Sequence, residues 1–135
     1  NAVAARCLGG PPMNLRPGHV YAASHVFVPD DVDGVVVDMA ALLESSGGRA
    51  AGARTMGIRP EHVALSETAG DHAIPGEVMV VQNLGAETLV TARVGPRLVV
   101  ARLFTDNAAV PPGALWLRFD PAHLHAFDAD GQRIE

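Results

Sequence analysis

The chain has 135 residues, 48% of them hydrophobic, enough to bury the core of one domain or of two small subdomains. Its 10 basic and 15 acidic residues leave a net charge of -5, and every basic residue is Arg, so the positive field that holds a phosphate backbone is missing. A single cysteine, Cys7, excludes an internal disulfide, and no apolar run reaches the ~18 residues of a membrane helix; a soluble domain in a reducing, cytoplasmic compartment is expected.

In chain order, "GGPPMNLRPG" from Gly9 to Gly18 carries three prolines and three glycines and reads as a connector. "HVYAASHVFV", His19 to Val28, alternates loosely and is rich in β-branched and aromatic residues. With "DGVVVD" after the Pro29-Asp30-Asp31 turn it predicts a first hairpin. A short helix is expected over Met39 to Glu44, with Asp38 as N-cap and a stop at Gly47. A strand starting near Thr55 should end at Arg59, because Pro60 holds the residue before it extended and removes a donor. From Pro75 onward "GEVMVVQNLG", "ETLVTARVG", "RLVVARLF" and "ALWLRF" follow one another, with turn residues between them. Period-two spacing puts Val90, Ala92 and Val94 on one face, then Leu98, Val100 and Phe104, then Leu115, Leu117 and Phe119. Gly95-Pro96 supplies a tight turn, and "DPAHLHAFDADG" a last short strand between turns. Short antiparallel strands at this spacing predict an all-β fold of OB-like barrel type with one short helix.

Few residues offer chemistry. His123 and His125, two apart on an expected strand, could face one metal, but no further His or Cys stands at ligand spacing, and they read as half-exposed strand residues. Cys7 has no local base or acid to activate it and reads as an apolar filler. Ser45-Ser46-Gly47-Gly48 is Gly-rich, yet no GxxxxGK[ST] phosphate loop exists in a chain without Lys. Trp116, Phe119 and Phe127 could stack bases, but sparse aromatics and acidity favour core packing. In "TMGIRPEHV" the Glu61-His62 pair could be an acid–base couple; a strand-ending turn, with Glu61 accepting turn N–H groups and His62 solvated, is the structural reading.

At this motif a resemblance enters. "GIRPEHV", together with "GGPPMNLRPG", "GEVMVVQNLGAETLV" and "FDPAHLHAFDADGQRI" in the same order, resembles the carboxy-terminal regulatory (TOBE, OB-like) domain in ATP-binding subunits of carbohydrate ABC importers of the maltose and sn-glycerol-3-phosphate type. The resemblance spans nearly the whole chain. It implies a lead-in over 1–18 from an ATPase domain not in this sequence and a regulatory domain over 19–135. It also implies a second copy of the subunit as partner, importer membrane subunits reached through the parent protein, a regulatory protein in some members, and a location at the inner face of the cell membrane. No cofactor is expected in this stretch; ATP and Mg would belong to the ATPase domain, and nothing here would hydrolyse a substrate. Gly57, Arg59, Pro60 and Glu61 would shape the first sheet. Asn83, Leu84, Gly85, Glu87 and Thr88 would form a hairpin for subunit or regulator contact, and Phe127 would mark the terminal strand that some regulators approach. Cys7-Leu8 departs from the family's usual Phe-Ile, and Met39 to Arg54 matches nothing firm. A small-ligand or oxyanion sensor of a related importer is the second reading, and an OB-type nucleic-acid binder is disfavoured.

Overall fold

The structure is a computed structural model that describes residues 11–104, 110 and 113–135. Cys7 and the Cys7-Leu8 departure lie outside the described residues. In chain order the strands are β1 (Asn14–Tyr21), β2 (Val26–Pro29), β3 (Val37–Asp38), β4 (Thr55–Ile58), β5 (Val63–Ser66), β6 (Ala73–Asn83), β7 (Thr88–Val94), β8 (Arg97–Leu103), β9 (Gly113–Phe119), β10 (His125–Phe127) and β11 (Arg133–Ile134). One α-helix, α1 (Ala40–Ser45), lies between β3 and β4. The described residues form two compact units: the chain through Ile58 with Asp120–Glu135, and Arg59–Phe119.

The first unit is an antiparallel sheet in the order β11-β10-β4-β1-β2-β3. β1 serves two partners in succession, with Asn14 to Pro17 opposite β4 and Gly18 to Tyr21 opposite β2. The expected connector is therefore strand from Asn14 onward. Pro17 and Gly18 are tolerated there because they stand where β1 changes partner: the Pro17 carbonyl accepts from Asp30 N–H, and Gly18 N–H donates to the Arg54 carbonyl. Gly18 is also a packing glycine, since a Cβ on it would lie 2.4 Å from both Phe27 Cζ and the Val28 carbonyl oxygen. The first hairpin also differs from expectation. Its turn falls inside "HVYAASHVFV", at the 3-10 turn Ala22–Ser24, and His25 takes a left-handed φ of 56° to close it. Ala-Ala-Ser carries little turn signal, so pattern alone merged β1 and β2 into one strand.

α1 starts one residue later than expected, with Met39 and not Asp38 as its N-cap. The Asp38 carboxylate accepts Ala40 N–H at 2.8 Å. At the far end Gly48 N–H reaches the Leu43 carbonyl and Gly47 N–H the Glu44 carbonyl, both glycines at positive φ, which is the paired arrangement of a Schellman stop. Buried Ser46 is satisfied on both sides, donating to the Leu43 carbonyl and accepting Ala50 N–H. The core of this unit joins Met13, Phe27, Val37, Met39, Met56 and Phe127, all buried.

The second unit is a five-stranded antiparallel sheet in the order β5-β9-β6-β7-β8. Its edge strands β5 and β8 pack beside each other, so the sheet curls into the partly open, all-β barrel of OB type. Val90, Ala92 and Val94 of β7 line the interior with Leu115 and Leu117 of β9, as alternation predicts. β8 departs from prediction. Leu98 and Phe104 are 60% and 61% exposed, whereas Ala101, opposite Val90, is buried. The small inward Ala and large outward Leu and Phe inverted the face read from hydrophobicity. β6 carries a second surprise, a bulge at Met79 between Val78, opposite Ala92, and Val80, opposite Thr91. One extra residue switches which parity faces inward, and the unbroken apolar run "VMVV" hides the switch.

Candidate functional site

"GIRPEH" stands where the chain leaves the first unit for the second. β4 ends at Ile58, Arg59 is extended with φ -72° and ψ 147°, and buried Pro60 opens the 3-10 turn Pro60–His62. The strand stop falls where the proline requires it. The turn's N–H groups are met by its own backbone, His62 donating to the Arg59 carbonyl and Val63 to the Pro60 carbonyl. Glu61, expected to accept them, is exposed on the turn, and the His62 ring is half-buried. Gly57 is fixed by packing, because a Cβ there would meet Met13 Sδ at 2.5 Å and Leu15 Cδ2 and Phe127 Cε2 at 3.1 Å.

The return to the first unit repeats the pattern. Asp120-Pro121-Ala122-His123 forms a second Pro-led 3-10 turn, Pro121–His123, here with the Asp120 carboxylate accepting Ala122 N–H at 2.9 Å. His123 thus sits on this turn and His125 on β10, correcting the expectation that both share a strand. Among the described residues no group of three or more His, Cys, Asp or Glu side chains converges as a metal site. Trp116 and Phe119 are half-buried on β9, and Phe127 is wholly buried on β10, which pairs with β4 on one side and β11 on the other.

The Asn83–Thr88 hairpin is the most constructed surface feature. Leu84 N–H donates to the Glu87 carbonyl at 2.8 Å, Gly85 N–H to Asn83 Oδ1 at 3.0 Å, and Gly85 adopts φ 90°, which its lack of a Cβ permits. Leu84 at the tip is 56% exposed, while Thr88 at the base is buried with no partner for its hydroxyl among the described residues. The Glu87 carboxylate pairs with Arg102 Nε on β8, and the Arg102 guanidinium lies 4.9 Å from the centre of the Phe104 ring. Arg102 went unnoticed in the sequence and Phe104 was read only as part of an apolar face, although residues two apart on a strand share a face and so could have flagged the stack. The outward face of β6, β7 and β8 around them also carries Val80, Leu98 and Thr91. This surface combines exposed apolar side chains with the Glu87–Arg102 ion pair.

Comparison with known proteins finds that residues 56–127 match the family model of the TOBE domain. The chain is 34% identical over 132 residues to the sn-glycerol-3-phosphate import ATP-binding protein UgpC of Yersinia pestis, covering 97% of this chain and 35% of that protein. It is 34% identical over 131 residues to the same-named protein of Salmonella typhi, and 35% identical over 133 residues to that of Escherichia coli O6:K15:H31, each covering 96% of this chain. The match falls in the carboxy-terminal part of these relatives, of whose length the chain spans 35%.

Proposed function

Since this chain belongs to the TOBE-domain family, we propose that it is the regulatory and dimer-supporting domain of the ATP-binding subunit of an ABC importer for a sugar or glycerol phosphate. The observation that carries the reading is coverage: nearly the whole chain aligns to about a third of an import ATP-binding protein, and the sequence holds no phosphate loop and no Lys. ATP and Mg then belong to the remainder of the parent subunit, and this domain supplies contacts in place of catalysis. Its partners are a second copy of the subunit, the importer's membrane subunits through the parent protein, and in some settings a regulatory protein. Its place is the cytoplasmic side of the membrane.

Mechanistically the domain acts on a population. Two ATP-binding subunits exchange between an open pair and one closed on nucleotide, and contacts between these domains hold the pair while it opens. Anything that binds the domain better in the open pair lowers the closed fraction by its differential affinity alone. A chimera tests this. UgpC lacking its matching carboxy-terminal region should lose subunit pairing in the nucleotide-free state, and UgpC carrying this chain in that place should regain it, as read by light scattering. A chimera that stays monomeric while folded would count against the reading.

A further inference from the structure

The pair Asp-Gly occurs twice in the chain, at Asp33-Gly34 and at Asp130-Gly131, and each sits in a turn with its glycine at positive φ, 74° and 79°. Both aspartates are exposed, and at both glycines the space a Cβ would occupy is open. Glycine leaves its own backbone nitrogen unshielded and lets the chain fold back, so the preceding Asp carboxyl is open to attack by that nitrogen. Hydrogen bonding separates the two sites. Gly131 N–H donates to the Asp128 carbonyl at 3.0 Å, and the Asp128 carboxylate accepts Asp130 N–H and Gln132 N–H, both at 2.9 Å. Asp128 N–H donates in turn to the Gln132 carbonyl, so the backbone on both sides of Asp130 is tied into the turn between β10 and β11. Gly34 N–H has no hydrogen-bond partner among the described residues.

We propose that Asp33 is a site of spontaneous isoaspartate formation, from which Asp130 is protected. The Gly34 nitrogen attacks Cγ of the Asp33 carboxyl in its acid form; a C–N bond forms, the C–OH bond breaks, and the nitrogen's proton leaves with the hydroxyl as water. Water then adds to one of the two carbonyls of the resulting succinimide. Opening at Cγ restores Asp33. Opening at the main-chain carbonyl leaves the backbone running through the side chain, one methylene longer, with a free α-carboxylate. At Gly131 the same attack must first release the bonds that hold the turn. The lengthened backbone at Asp33 leads straight into buried Val35 and Val37, and Val37 lies opposite Phe27 in the two-residue strand β3 at the sheet edge. The new α-carboxylate is the group an isoaspartyl O-methyltransferase accepts, with S-adenosylmethionine as methyl donor.

The test ages the 135-residue chain for weeks at neutral pH and body temperature. After digestion, isoaspartate is scored at each site by electron-transfer fragmentation and by methyl uptake of the separated peptides from that methyltransferase. Isoaspartate at Asp33 should exceed that at Asp130 about tenfold, the ratio expected when ordinary hydrogen bonds must open before attack. Asp33→Glu, whose ring would be larger and slower to close, should lose the signal. Asp128→Ala, checked as folded by circular dichroism, should raise Asp130 toward the level of Asp33. Amides of the β2–β3 pair should exchange faster in the aged protein than in the fresh one. Equal isoaspartate at both sites, as reaction through the unfolded chain would give, overturns the proposal, and so does none at either. A silent Asp130 in folded Asp128→Ala overturns hydrogen bonding as the protection, and unchanged amide exchange overturns the effect on β3.

Discussion

Gly57 and Gly18 show how a residue without a side chain can be the most constrained position in its neighbourhood. At Gly57 the atoms a methyl group would strike are side-chain termini, including the flexible thioether of Met13. Gly57→Ala should therefore cost about 1–3 kcal/mol as the neighbours repack. At Gly18 one of the atoms struck is the Val28 carbonyl oxygen, part of the paired strand itself, so relief requires the ladder to move. Gly18→Ala should be the costlier change, and urea unfolding of the two variants checks the order. A smaller loss at Gly18 would mean the β1–β2 ladder is looser than its register implies. The motif that first suggested acid–base chemistry resolves at this scale too. Its Glu61 and His62 sit on a turn whose N–H groups bond to backbone carbonyls, and its identity as a motif comes from Gly57 and Pro60, one packed and one ending a strand.

At the scale of elements, β7 and β8 separate what pattern can and cannot show. On β7 Val90, Ala92 and Val94 face inward, so Val90→Ala should cost about 2 kcal/mol, near the value of a buried Val side chain. On β8 the apolar alternation points out of the barrel, and Leu98→Ala should change stability by no more than about 0.5 kcal/mol despite removing the larger group. Thermal melts of both variants decide the matter, and a large loss at Leu98 would restore the face first read from the sequence. The same contrast runs through the fold. The barrel strands, the α1 stop at Gly47 and the strand stop at Pro60 were readable because turn residues and caps act locally, while the N-cap fell at Met39, one residue past the Asp38 expected. The hairpin turn at Ala22–Ser24, the Met79 bulge and the strand character of Asn14 to Gly18 were not, because each depends on a partner strand distant in sequence. The candidate hairpin was placed by resemblance, but its restraint by Arg102 is a tertiary fact, since the two ends of that bond meet only when β7 pairs with β8.

For the whole molecule, the chain passes between its two units twice, and both passages are Pro-led 3-10 turns of related sequence, Arg-Pro-Glu-His and Asp-Pro-Ala-His. Its described surface includes the Asn83–Thr88 hairpin tip and an outward sheet face with exposed Val80, Leu98 and Phe104. The chain is acidic and without Lys, and it matches the TOBE domain and the carboxy-terminal part of import ATP-binding proteins, of whose length it spans 35%. The central claim is that this domain holds two copies together. Sedimentation equilibrium of the 135-residue chain over a wide concentration range tests it most directly. The account predicts a weight-average mass that rises from one chain toward two with a single dissociation constant; a mass that stays at one chain up to millimolar concentration would contradict it.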